Sequence, residues 1–221
     1  RLGSVITTVD GVNGLRQLRR HPESVKQATV ADRIVLTKPD IADADTLVRL
    51  RAKLARLNGS AEQITAVNGE VDVPRVLRAD VYDARTKGAE VRRWLAAEAE
   101  KDGTQGHAHG HDVSRHDEHI HSFTLSFEGA LDWTAFGIWL TMLLHTHGEK
   151  VLRVKGILNV AGTEAPVVVN GVQHVVHPPI HLAAWPTDDR RSHIVFIVDD
   201  LAQDAIERSL AAFNNIAAEA A

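Results

Sequence analysis

Residues 31–40 read Ala31-Asp32-Arg33-Ile34-Val35-Leu36-Thr37-Lys38-Pro39-Asp40. Arg33 to Leu36 is a short apolar run of the type that forms a strand buried on both faces of a parallel sheet. It ends in Thr37-Lys38-Pro39-Asp40. On its N-terminal side, Val5 to Asp10 is a β-branched stretch closing on the turn dipeptide Asp10-Gly11, which predicts another strand. A helix carrying Val12, Leu15 and Leu18 follows, and Pro22 suits the first turn of a second short helix through Ala31. On the C-terminal side, Leu47, Leu50, Leu54 and Leu57 recur at spacings of three, four and three, with Asp43 or Asp45 to cap the helix and Asn58-Gly59 to stop it. Gln63 to Val67 gives a further strand, and Asp83 to Lys101 an amphipathic helix with Val91, Trp94, Leu95 and Ala99 on its apolar side. Strands alternating with helices through short connections predict βαβ units and a mostly parallel sheet, whose ligands bind beyond the carboxyl ends of the strands.

The pattern breaks over residues 103–118, which are rich in Gly, His and Asp with almost no apolar side chains, so a linker is expected there. A second set of elements follows. His119 to Glu128 reads as a strand, Trp133 to His147 as an apolar helix stopped by Gly148, and Val151 to Val160 as a strand. Val167 to Val169 and Val172 to Val176 flank Asn170-Gly171, a strong hairpin signal because the favoured turn needs positive φ at both central positions. His193 to Val198 and Leu201 to Ala217 give a last strand and a closing helix. The fold class expected is α/β with a mostly parallel sheet, followed by an α+β domain with an antiparallel sheet.

The chain has 221 residues, 25 Lys+Arg against 29 Asp+Glu, and a formal charge of −4, which excludes a nucleic-acid binder held by a basic face. With 44% apolar residues it can bury a core. The longest apolar stretch, Trp133 to Leu144, is interrupted by Thr134, Gly137 and Thr141 and is far below the roughly 20 residues of a membrane span, so no membrane partner is expected. The start, Arg1-Leu2-Gly3-Ser4, has neither an initiator Met nor the apolar run of a signal peptide, and reads as a cut inside a larger protein. Zero Cys removes disulfides, thiolate catalysis and Cys-based zinc sites, and fits a reducing, cytoplasmic setting.

Two constellations could carry chemistry. In Thr37-Lys38-Pro39-Asp40, a carboxylate directly after an apolar strand can accept hydrogen bonds from N1 and N2 of guanine while the Lys38 stem covers the ring; adenine lacks that donor pair. The alternative is a strand-end turn containing a proline. No GxxxxGK followed by Ser or Thr and no GxGxxG occurs, so these residues could read a guanine base but not grip its phosphates or magnesium in the usual way. The second constellation is His107, His109, His111, His116, His119 and His121, six of the thirteen histidines within one short segment. In extended backbone, residues two apart point the same way, so His107, His109 and His111 could offer neutral imidazoles to zinc, cobalt, copper or nickel. A solvated linker that takes metal only adventitiously is the other reading. The remaining candidates have simpler explanations: His145 and His147 at a helix C-terminus, His174, His177 and His181 around Pro178-Pro179, Arg153 and Lys155 on the exposed side of a half-buried strand, and Trp133, Phe136 and Trp139 as a core face.

The order of parts resembles the CobW-type family of P-loop GTPases across essentially the whole chain: a strand ending VDG (9–11), ADRIVLTKPD (31–40), a helix ending RLN (56–58), the His-rich segment, HIHSFTL (119–125), WTAFGIWL (133–140), LRVKGIL (152–158) and SHIVFIVDDL (192–201). The resemblance implies the C-terminal part of a P-loop GTPase domain over 1–102, a His-rich linker over 103–118 and a CobW-like C-terminal domain over 119–221. It implies guanine recognition through Thr37, Lys38 and Asp40, and a GTP-dependent metallochaperone that delivers zinc or cobalt to a client metalloprotein, some members being tied to cobalamin synthesis. The family's P-loop, magnesium ligands and CxCC metal motif lie in its N-terminal part and match nothing in this sequence. GTP hydrolysis by these residues alone is therefore not expected. A non-enzymatic metal-binding or interaction module, buffering zinc on its His-rich loop, is the competing class.

Overall fold

The computed structural model describes residues 4–77 and 119–219, together with 88, 91–92 and 94–96. Residues 4–77 and residues 119–219 fall in two different compact units.

Residues 4–77 run β1 (Ile6–Asp10), α1 (Gly14–Arg20), α2 (Pro22–Val30), β2 (Arg33–Thr37), α3 (Ala44–Leu57), β3 (Glu62–Ala66) and α4 (Val73–Leu77). The three strands form a parallel sheet in the order β1-β2-β3. The central strand is the apolar run Arg33 to Leu36, in which Ile34, Val35 and Leu36 are buried. In α3, Leu50, Leu54 and Leu57 are buried on one face, and the choice between two possible caps falls on Asp43, which accepts from the Thr46 backbone N–H at 2.8 Å. The helix then ends in an unexpected way. Asn58 sits at φ −149° and ψ 82° instead of in the left-handed region, and its fully buried Nδ2 lies 3.0, 2.8 and 2.9 Å from the carbonyl oxygens of Ala28, Thr29 and Ala31. The last turn of α2 has carbonyls with no intrahelical donor, and this amide supplies one. α1 packs closely enough that a Cβ on Gly14 would stand 2.9 Å from Val9 Cγ1 and 3.0 Å from Leu50 Cδ2, so only glycine fits there.

Residues 119–219 run β4 (Ile120–Phe127), α5 (Trp133–His147), β5 (Val151–Leu158), β6 (Val167–Val172), β7 (Val175–Val176), β8 (Ile180–His181), β9 (Ser192–Asp199) and α6 (Gln203–Glu219). The strands pair antiparallel in the order β4-β9-β5-β6-β7, with β8 on β6. One face of the sheet packs a core of Phe123, Leu125, Val154, Phe196 and Val198 against Phe136, Trp139 and Leu140 of α5 and Ile206 and Leu210 of α6. Trp139 ties the helices together by donating Nε1–H to Ser209 Oγ at 2.9 Å.

Three expectations for this region are corrected. Asn170-Gly171 is not a turn: both residues sit inside β6, opposite Lys155 and Val154 of β5, and the chain reverses at Gln173-His174 with Gln173 at φ +50°. The ladder to β5 extends to Val172, so tertiary pairing overrides the local turn signal. Arg153 and Lys155 do not face solvent. Every residue of β5 is buried, whichever face of the sheet it points to. Trp133 stays 40% exposed while Phe136 and Trp139 are buried, so the spacing-three aromatic row is only partly core. The helix expected over 83–101 and the linker over 103–118 lie largely or wholly outside the described residues. Among the described residues no helix is long and apolar enough to cross a membrane.

Candidate functional site

Parallel register brings the ends of three strands to one edge: Asp10 of β1 lies opposite Thr37 of β2, and Thr37 opposite Ala66 of β3. Chain segments leaving these ends build the edge where ligands bind in open α/β sheets. Lys38 is held there in the left-handed region, φ +55°, a conformation that costs a non-glycine residue of order 1 kcal/mol and persists only where surrounding contacts enforce it. Those contacts are visible. Lys38 Nζ donates to Asp10 Oδ2 at 2.7 Å, and Asp10 Oδ1 accepts from the backbone N–H groups of Val12 and Asn13 at 2.8 and 3.0 Å. Partial burial works to raise the Asp10 pKa, but the Lys38 ammonium and the two backbone donors outweigh it and lower the pKa to about 2.

The two loops are also stitched through backbone. Gly11 N–H donates to the Thr37 carbonyl at 2.8 Å, and a Cβ on Gly11 would come within 2.8 Å of that oxygen and 3.3 Å of the Lys38 carbonyl. Asp40, two residues beyond Lys38, is exposed and ahead of the Asp43 cap of α3. Beside them, β3 leads into a tight turn closed by the Val67 and Glu70 backbones, with Asn68 at φ +51°. Thr37, Lys38 and Asp40 thus stand together at the sheet's carboxyl edge. In the sequence Asp10 reads only as part of a turn; the signal for its second role is an Asp-Gly pair closing the strand next to the one that carries Lys38.

Of the six histidines of the tract, His107, His109, His111 and His116 lie outside the described residues. His119 and His121 flank the first residue of β4. His119 Nδ1 is 2.6 Å from Asp200 Oδ1, both side chains more than half exposed, while the His121 ring lies 5.8 Å from that of Phe123. A carboxylate against one ring nitrogen is an arrangement usual for metal-ligating histidine. Among the described residues no group of three or more His, Asp or Glu side chains is placed to hold a metal ion.

Comparison with known proteins bears on the same regions. Residues 120–214 match the family described as the cobalamin synthesis protein cobW C-terminal domain. The chain is 26% identical over 216 residues to the zinc chaperone YjiA of Escherichia coli (strain K12), covering 95% of this chain and 60% of that protein. Two crystal structures share its fold: a zinc-bound triple mutant of the YjiA GTPase, at TM-score 0.69 and 24% identity over 97% of this chain and 62% of the other, and the zinc-bound YjiA GTPase from E. coli, at TM-score 0.67 and 23% identity over 96% and 61%. The chain therefore spans about three fifths of the length of these relatives. Residues 120–214 thus form a cobW C-terminal domain, and the fold shared with the two crystal structures extends through the preceding parallel sheet.

Proposed function

We propose that this chain is the base-reading and client-facing portion of a GTP-dependent zinc chaperone acting in the cytoplasm. Asp40 accepts hydrogen bonds from N1 and N2 of guanine, the Lys38 stem lies along the purine face with its ammonium anchored on Asp10, and Thr37 sets the entry of the loop from β2. The observation that carries this reading is the left-handed Lys38 tethered to Asp10 at the carboxyl edge of the parallel sheet, with Asp40 exposed beside it. A proline-containing turn with no ligand to bind does not need such a tether. No GxxxxGK[ST] occurs in these residues, so guanine recognition is assigned to them and phosphate gripping and GTP hydrolysis are not.

The His-rich segment and His119 carry the metal. Imidazoles on a glycine-containing segment bind zinc weakly and exchange it quickly, which suits transfer to a client metalloprotein. The names of the relatives favour zinc over cobalt as cargo, and imidazole ligands accept either ion.

The test is nucleoside binding followed by amide chemical shifts in the chain as it stands. Guanosine should shift the Thr37 to Asp40 amides and adenosine should not. Asp40→Ala removes hydrogen bonds to a charged acceptor, each contributing about 1.5 to 3 kcal/mol, so guanosine affinity should drop at least tenfold. Equal shifts with the two nucleosides, or unchanged affinity in Asp40→Ala, would sink the base-reading assignment.

A further inference from the structure

The 119–219 unit holds a cleft of about 560 Å³ between the end of β4, the loop into α5 and the outer side of α6. That volume lies in the range of pockets that enclose a ligand group, roughly 300 to 1,000 Å³. Its floor is apolar: Leu125, Leu131, Leu210 and Ala211 line it. Most of its polar side chains are acceptors. Glu128, Asp132 and Glu207 are exposed carboxylates around the mouth, and Asn214 contributes a buried Oδ1 with no hydrogen-bond partner. Asp132 Oδ1 is used to cap α5 through the Ala135 N–H at 2.7 Å, which leaves its second oxygen to the mouth. Ser126, also on the wall, has its hydroxyl on His193 Nδ1 at 2.8 Å. Arg191 feels the Glu128 charge, but its guanidinium is gripped in a fork by Asp189, with contacts of 2.8 to 3.2 Å.

An apolar floor alone does not say what covers it. Here the rim does. Three carboxylates and an unsatisfied amide oxygen can only accept hydrogen bonds, so a complementary occupant brings N–H donors and positive charge around an apolar group. An anionic or neutral acceptor-rich occupant would leave Asn214 Oδ1 unpaired and stack like charges at the mouth, and both effects oppose binding.

We propose that this cleft is a docking site for a segment of a partner polypeptide in which an apolar side chain is flanked by lysine or arginine. The apolar side chain fills the space over Leu131 and Leu210, the flanking cations meet Glu128, Asp132 and Glu207, and a donor from the segment satisfies Asn214. The site lies wholly within the 119–219 unit and does not depend on the guanine or zinc assignments, so it stands or falls separately from them.

The experiment uses the full chain and fluorescence anisotropy of three short labelled peptides: a Leu-Phe pair flanked on both sides by lysines, the same pair flanked by glutamates, and lysines around a Gly-Gly pair. The first should bind, with affinity falling as salt is raised, and the other two should bind at least about tenfold more weakly. Ala211→Trp, which fills the cleft from an exposed helix position, should abolish binding. Because that variant could perturb folding, Glu207→Lys provides a second readout: it alters only an exposed rim position and should shift preference toward the glutamate-flanked peptide. Equal binding of the lysine- and glutamate-flanked peptides, full affinity in folded Ala211→Trp, or no shift in preference in Glu207→Lys would overturn the proposal. So would binding of a small apolar cation such as phenethylammonium by a chain that ignores the peptide.

Discussion

Replacing Asn58 tests how the first sheet is locked together, and it can be worked from distances. Its Nδ2 sits 2.8 to 3.0 Å from three carbonyls at the end of α2, its Oδ1 accepts from Ser60 Oγ at 2.8 Å, and the residue is fully buried. An amide has two N–H groups, so one is shared between carbonyls. Asn58→Ala removes both donors and leaves buried acceptors that water cannot reach. At about 1 to 3 kcal/mol for each unsatisfied group the loss should be about 3 kcal/mol. Asn58→Asp is nearly isosteric, yet it should be worse. It places a carboxylate oxygen against three carbonyl oxygens, and an uncompensated buried charge costs about 3 to 5 kcal/mol. Its carboxyl pKa should be pushed up by that surrounding, so the Asp variant should regain stability as pH falls and the group protonates to a donor. The assay is hydrogen exchange of the Ile34 to Leu36 amides in increasing urea, because these report the central strand directly. If Asn58→Asp is as stable as Asn58→Ala near pH 7, the donor-to-carbonyl account of Asn58 is wrong.

Two further outcomes follow from the geometry. The Asp10 pKa is lowered from 3.8 to about 2 in the folded chain, so its contribution is fully present above about pH 4 and is lost as pH falls through about 2; Asp10→Asn should cost about 1 to 2 kcal/mol at neutral pH, solvent screening included, and should flatten acid denaturation followed by circular dichroism between pH 4 and 2. Gln173 holds φ +50° at the turn between β6 and β7, so Gln173→Gly should stabilise the 119–219 unit by about 0.5 to 1 kcal/mol in a urea titration read by tryptophan fluorescence, and a destabilisation would show that the Gln173 side chain matters more than its backbone strain.

Much of the fold was legible because its signals are local. The apolar run at Arg33 to Leu36, the leucine spacing of α3 and the Asp43 cap act through neighbours in the chain, and each reappears within a residue or two of its expected place. Errors arose where a distant strand outweighed a local preference. Asn170-Gly171 carries strong turn chemistry, but the ladder to β5 continues through it. Arg153 and Lys155 alternate like an exposed edge, but both are buried, and alternation along one strand cannot report what packs on it in three dimensions. At the candidate base-reading edge, Thr37, Lys38 and Asp40 were visible as a motif, whereas Asp10 was not. It lies 28 residues before Lys38, and only parallel pairing makes them neighbours.

The sequence by itself determined the kinds of element, their order and the side chains available: a parallel sheet with Thr37-Lys38-Pro39-Asp40 at the end of its central strand, six clustered histidines, and an antiparallel second sheet. These follow from periodicity and residue type, which every short window of chain carries. Tertiary structure alone decided that Lys38 is pinned on Asp10, that Asn58 closes α2 in place of a left-handed cap, that His119 meets Asp200, and that Glu128, Asp132, Glu207 and Asn214 converge on one apolar cleft. Each is a contact between residues far apart in the chain, set by register and packing, to which no local pattern of side chains is sensitive.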